Sequence, residues 1–190
     1  MTTTQSPLSS IWAYAWPVVA AIAFATFVAF GSSSAGHAEI APVVTASAFV
    51  YLCAAALQHR TAAWPMFFVS VIVITVGFRL PGLDPSWSTW AMLLIAGTLT
   101  AYALIRGALR PSWSVPLQSA AMAVFAAVAI TAVHSDATWA GLLVAAGLLA
   151  HTAWDIHHHR TQRVVVRSMS LFCAVLDTFL AVVVLATTLA

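Results

Sequence analysis

Seven apolar stretches fill most of this chain, and little polar sequence is left to connect them. They lie at 11–30, 42–58, 63–80, 88–105, 115–133, 138–156 and 168–189. A helix needs roughly 20 apolar residues to cross the hydrocarbon core of a bilayer, and each stretch reaches or approaches that length. A backbone placed there must satisfy its own N–H and C=O groups, so helices are the expected form. The connections carry proline, glycine and serine, as in GSSSAGHAE, RLPGLDPS and RPSWSVP. Only 6% of residues are charged, against about 25% in a typical soluble domain. The sequence therefore predicts an all-α integral membrane protein: one bundle over residues 1–190, with membrane lipid as its main surroundings and no separate soluble domain.

The basic residues fix an orientation. All seven are arginines, and the chain has no lysine. With seven spans, Arg60, Arg106, Arg110, Arg160, Arg163 and Arg167 fall on one side and only Arg79 on the other. Basic loops stay cytoplasmic, which predicts a cytoplasmic N-terminus and an outer C-terminus in a bacterial-type cytoplasmic membrane. The start MTTTQSPLSS lacks the positive charge of a cleavable leader, so the first span is expected to remain as an anchor. Trp12, Trp16, Trp64 and Trp113 lie near predicted inner ends, and Trp87, Trp90 and Trp139 near outer ends. Indole rings favour such interfaces. Trp154, about a turn inside the sixth span, is the exception.

Some functions are excluded by what is missing. Without a lysine there is no Schiff base for retinal or for lysine-imine chemistry. GxSxG, HExxH, Walker and GxGxxG motifs are absent. No basic stripe suits nucleic acid. Cys53 and Cys173 sit in separate apolar runs and form no CxxC pair, as expected of small buried hydrophobes.

The stretch HTAWDIHHHR, residues 151–160, carries the strongest chemical signal. The apolar run before it, 138–150, would rise only about 20 Å as a helix, too short to cross. The helix must continue, which submerges His151 and brings Asp155 near the inner boundary. His151, Asp155 and His158 or His159 then share a stripe, while His157 points elsewhere. In the last span Asp177 lies mid-helix with Cys173 one turn away. A carboxylate at the bilayer centre costs about 2.5–3.5 kcal/mol on insertion scales, so it is normally paired or protonated and turned inward. The last two spans run antiparallel, which allows His151, Cys173 and Asp177 to meet. Tyr51 and Gln58 share a face of the second span. The outer-loop residues His37, Glu39, His134 and Asp136 read as solvated loop charge.

Two chemistries follow from this set. Asp177, His151 and Asp155 can form a proton or substrate path with Tyr51 and Cys173 along it, as in a secondary or proton-coupled transporter of a small solute. Alternatively, His151, Asp155 and His158 can hold a divalent metal in an intramembrane enzyme acting on a lipid. A third reading is an accessory subunit of a larger membrane complex, or a homo-oligomer packed through Ala- and Gly-rich faces.

One internal echo bears on architecture. HRT occurs at 59–61 and again at 159–161, and residues 51–80 and 151–180 share five identities. This suggests a 3+1+3 parallel repeat, with units 11–80 and 115–189 joined by helix 88–105. In helix count and spacing such an arrangement resembles SWEET-type sugar carriers. In size, span count and submerged His and Asp, the chain also resembles the progestin-receptor and haemolysin-III group and the alkaline ceramidases. Their sites imply a metal held by His and Asp near one membrane face. The SxxxH of their early helix and the HxxxH of their last helix are missing from the predicted spans here, so no ligand set carries over.

Overall fold

The structure, a computed structural model, describes the backbone of residues 7–30, 37–80, 82–108 and 110–190, and the side chains of 12–30, 40–80, 82–108 and 110–190. Seven α-helices account for nearly all of it: α1 (Pro7–Phe30), α2 (His37–Ala56), α3 (Ala63–Arg79), α4 (Trp87–Ile105), α5 (Val115–Val133), α6 (Ala137–Thr161) and α7 (Arg167–Leu189). There is no strand among the described residues. Six helices are long and apolar enough to cross a bilayer; the seventh, α2, contributes a shorter apolar stretch, Ile40–Ala56. His37 and Glu39, expected in a loop, begin α2 in backbone, and their side chains lie outside the described residues.

Alpha-2 is the hub. It packs against α3, α4, α5 and α6, while α7 bridges α6 and α1. The reason is in its composition. From Ile40 to Ala56 it is apolar all round and built largely of Ala, Val, Ser and Thr, and every residue except Val43 is buried. A helix with no polar face has no side to offer water or headgroups, and small side chains let neighbours close in from every direction. Gly147 of α6 marks one such approach: a Cβ there would stand 2.8 Å from Val44 Cγ1 of α2.

The helix ends have local causes. Asp136 caps α6 by accepting from the backbone N–H groups of Thr138 and Trp139, each at 3.1 Å. Before α4, Asp84 accepts from the Ser86 N–H at 2.7 Å and from its hydroxyl; these donors hold its carboxyl below the ordinary carboxylate range. Alpha-2 stops two residues short of the expected end, and Gln58 turns into the left-handed region at φ 52°. Alpha-6 instead runs five residues beyond the expected end, to Thr161, with Gln162 left-handed as its cap. The two HRT copies therefore differ locally: the first lies beyond its helix, in a 3₁₀ turn at Arg60–Ala62, and the second lies in the last turn of α6.

The outer layer suits lipid. Trp12, Trp90 and Trp139 expose 69%, 58% and 61% of their surface, which for rings at helix ends fits an interfacial belt. Alpha-1 buries Pro17, Ala21 and Ala25, a stripe at every fourth residue, half-buries Phe24 against the core and leaves its other described aromatic side chains exposed.

Candidate functional site

His151, Asp155 and Asp177 converge inside the bundle, each with no exposed surface. His151 Nδ1 lies 3.2 Å from Asp155 Oδ2 and 2.9 Å from Asp177 Oδ2. The first contact follows from helix geometry, because residues four apart stack on one face. The second comes from the antiparallel pairing of α6 and α7. The same pairing aligns Thr152 with Thr178, whose hydroxyls lie 3.3 Å apart, and brings Gly141 under Thr188.

Alpha-2 closes the site from the third side. The Tyr51 hydroxyl donates to Asp155 Oδ1 at 2.6 Å, and the Ser47 hydroxyl lies 3.3 Å from the Asp177 carboxylate oxygens and 3.0 Å from the Val43 carbonyl, to either of which it can donate. One unbroken polar chain results: Ser47, Asp177, His151, Asp155, Tyr51. The Tyr51 ring also stands edge-on to His151 and His158, with centroids 5.3 and 4.8 Å away, and Phe125 of α5 covers the far side of His151 at 5.2 Å. His151 Nε2 finds no hydrogen-bond partner among the described residues. All the polar contacts of this imidazole there pass through Nδ1.

Charge sets the chemistry. One ring nitrogen, Nδ1, faces two carboxylates, and among the described residues no arginine pairs with them. Two ionised carboxylates in a medium of low polarity repel strongly. Neutrality then requires either added protons or a cation. One imidazole nitrogen and one oxygen from each carboxylate lie within 4.8 Å of one another, close enough to meet on one ion.

The other candidates are placed as follows. His158 does not join the cluster. Its Nδ1 lies 2.9 Å from the Trp154 carbonyl, and its Nε2 lies 3.3 Å from Gln118 Nε2 of α5. The three groups that meet are His151, Asp155 and Asp177. Cys173 is buried one turn from Asp177, but its thiol donates to Met169 Sδ at 3.5 Å. Gln58 donates to the Ala55 carbonyl and to Ser114 near the arginine-rich end. His159 approaches Ser170 at 3.4 Å. Two polar neighbours of the site, Ser47 and Gln118, were not expected from the sequence. Ser47 lies one turn before Tyr51 on the same helix face, a spacing that could have exposed it. Gln118 follows an ordinary apolar pattern, and nothing in the sequence points from it to His158.

The fold and site define an all-helical bundle of membrane-type spans with a buried imidazole–dicarboxylate cluster at the junction of α2, α6 and α7. No family model, curated protein or solved structure matches the chain.

Proposed function

We propose that this protein is a small polytopic membrane carrier that moves a proton together with a small solute through the His151–Asp155–Asp177 cluster. The observation that carries this reading is the unbroken buried chain from Ser47 through Asp177, His151 and Asp155 to Tyr51. Ionisable groups are expensive inside a membrane and are usually retained for a pathway. Here a proton on Asp177 can pass to the bare Nδ1 of a neutral, Nε2-protonated His151, and the imidazolium so formed can release it from the same nitrogen to Asp155. Tyr51, its ring edge-on to His158, lies toward the end that carries Gln58 and Ser114, and Ser47 lies on the other side. The arginine bias supports an orientation with the Tyr51 side toward the cytoplasm, the N-terminus inside and the C-terminus outside. The reading rests on the cluster itself and uses no repeat symmetry.

The test is proton movement in liposomes containing purified protein and a trapped pH dye, under an imposed pH gradient and with classes of small solute added in turn. Wild type is expected to move protons, and Asp177→Asn is expected to abolish the signal while remaining folded. An unchanged flux in Asp177→Asn removes the role, and so does a folded wild type that moves no protons under any condition.

A metal-dependent membrane enzyme is a second reading, favoured by one observation: the three donor atoms lie close enough to share an ion. His151, Asp155 and Asp177 would hold it, and a divalent charge would balance the two carboxylates. A bound metal lowers the pKa of a coordinated water and so supplies a hydrolytic nucleophile. Elemental analysis of purified protein decides. Stoichiometric metal lost in His151→Ala supports this reading, and folded metal-free wild type counts against it.

A further inference from the structure

A cavity of about 480 Å³ lies between α1, α2, α3 and α7 and meets the hydrogen-bonded chain at Ser47. Its size falls in the roughly 300–1,000 Å³ range of small-molecule sites. Phe24 and Phe27 of α1 form one wall, and Phe67 and Phe78 of α3 the other; Ser47 and Cys173 line it from α2 and α7. Alpha-1 and α3 touch through Trp16 on Trp64 and Phe24 on Phe67, with centroids 5.2 and 5.3 Å apart. Phe27 and Phe78, further along the two helices, are 70% and 55% exposed. The cavity is therefore a cleft opening sideways, toward the surroundings of the bundle.

Arg79 is the one charged residue that lines it among the described side chains. It is also the one arginine at this end of the bundle, with the other six gathered at the opposite end. No acidic group pairs with it among the described side chains. From Arg79 the wall descends to Ser70, roughly 13 Å at 1.5 Å per residue. Along that descent the polar groups are silent: Ser70 donates to the Phe67 carbonyl at 2.7 Å and Thr75 to the Val71 carbonyl at 2.7 Å. A cation at the mouth and a long apolar wall below it have the polarity of a fatty acid.

We infer that the cleft binds a single-chain amphiphile with a carboxylate head, the head on the Arg79 guanidinium and the chain between α1 and α3 toward Ser47 and Cys173. One guanidinium fork matches one carboxylate in charge and geometry. This site stands whether or not the buried cluster handles protons, because ligand binding and proton flux are measured separately.

The test uses the full chain in nanodiscs of neutral phosphatidylcholine, titrated with the fluorescent fatty acid cis-parinarate. Saturable binding of one probe per protein is expected, displaced by oleate. Oleyl alcohol should compete about ten-fold more weakly, and Arg79→Gln should lower affinity by about the same factor, the loss of one charge-assisted hydrogen bond. Val71→Trp, which fills the wall, should remove saturable binding while helical circular dichroism is retained. Thr75→Trp fills the same wall from a more exposed position and serves if Val71→Trp does not fold. Partitioning that never saturates overturns the inference, as does equal binding in wild type and both filled and Arg79→Gln variants. Equal competition by acid and alcohol, or tighter competition by two-chained phosphatidylglycerol, also overturns it.

Discussion

The two flanks of this bundle solve opposite problems. On one flank α2, α6 and α7 close tightly around charge. Gly141 and Gly147 remove side chains where neighbours press closest, and the imidazole and both carboxylates are sealed from any surface. On the other flank α1 and α3 meet through aromatic rings and leave a cleft of about 480 Å³ between them. The contrast teaches where a lipid-facing protein uses small residues. Lipid offers no hydrophobic drive to bring helices together, so close backbone approach and interhelical hydrogen bonds must do so. Charge is stable only where that approach is closest. Bulky rings hold helices at a distance and suit a place where something else is to enter.

The sharpest way to break the contrast is to remove the group that reconciles the charges. His151→Leu leaves Asp155 and Asp177 facing each other without a shared donor. Breaking one member of a buried ionic set typically costs about 3–5 kcal/mol, and a loss of that size is expected in unfolding from mild detergent. Replacing all three residues with leucine should restore most of that stability, because the uncompensated charge is gone, while proton movement stays at zero. A single His151→Leu variant as stable as wild type would show that the cluster imposes no constraint on the closed flank.

Much of this flank was legible in the sequence, for a definite reason. The apolar run before His151 is too short to cross, so the helix is expected to run on past the imidazole, and the structure buries His151 inside the bundle. Four-residue spacing then brings in Asp155. The number and order of helices follow from the lengths of the apolar runs, although six of the seven, and not α2, are long and apolar enough to cross a bilayer. The helix ends were less legible. Alpha-6 keeps its helical bonds through His157–Thr161 because Gln162 accepts a left-handed cap, and no local signal announces that. The central place of α2 was present in its composition, all-round apolar and small, but an apolar helix can face lipid as readily as it faces other helices. The pairing of Asp177 with Ser47 could not be read, because helix rotation about its own axis depends on neighbours distant in sequence.

A smaller effect should come from forcing α2 away from α6. In Gly147→Val the new Cβ would stand 2.8 Å from Val44 Cγ1. Overpacking of this kind costs typically about 1–3 kcal/mol. The change lies about two turns from Asp155, so the Tyr51 hydroxyl should lose its 2.6 Å hydrogen bond, and proton movement should fall along with stability. Gly97 of α4 is the internal control. Nothing lies within 4 Å of a Cβ built there, and Gly97→Val should leave both measurements near wild type. Equal losses at the two glycines would mean that helix propensity, not the α2–α6 approach, sets the cost.

Tyr51→Phe comes next. It keeps the ring that stands against His151 and His158 and deletes only the hydroxyl. Asp155 Oδ1 then loses its donor, a penalty of about 1–3 kcal/mol for a buried polar group left unsatisfied. Unfolding should report a loss near the low end, since Asp155 keeps His151. Proton movement should slow more than Asp155 alone explains if Tyr51 is a step on the path, and a variant with wild-type flux takes Tyr51 off it.

The smallest change belongs to the open flank. Truncating a phenylalanine in a packed core costs about 3–5 kcal/mol, because a cavity is left that nothing fills. Phe27 is 70% exposed and lines the cleft, so in Phe27→Ala lipid or detergent tails can fill the space that the ring gives up. Stability should shift by about 0.5 kcal/mol or less, as for other exposed positions. The same substitution removes one wall from the cleft, and cis-parinarate affinity should drop several-fold, because the ring no longer covers that part of the acyl chain. Unfolding and binding should therefore separate at Phe27, whereas at Gly147 stability and proton movement should fall together. A large stability loss in Phe27→Ala would mean that α1 is held by its aromatic side chains after all, and that the cleft is part of the packed core.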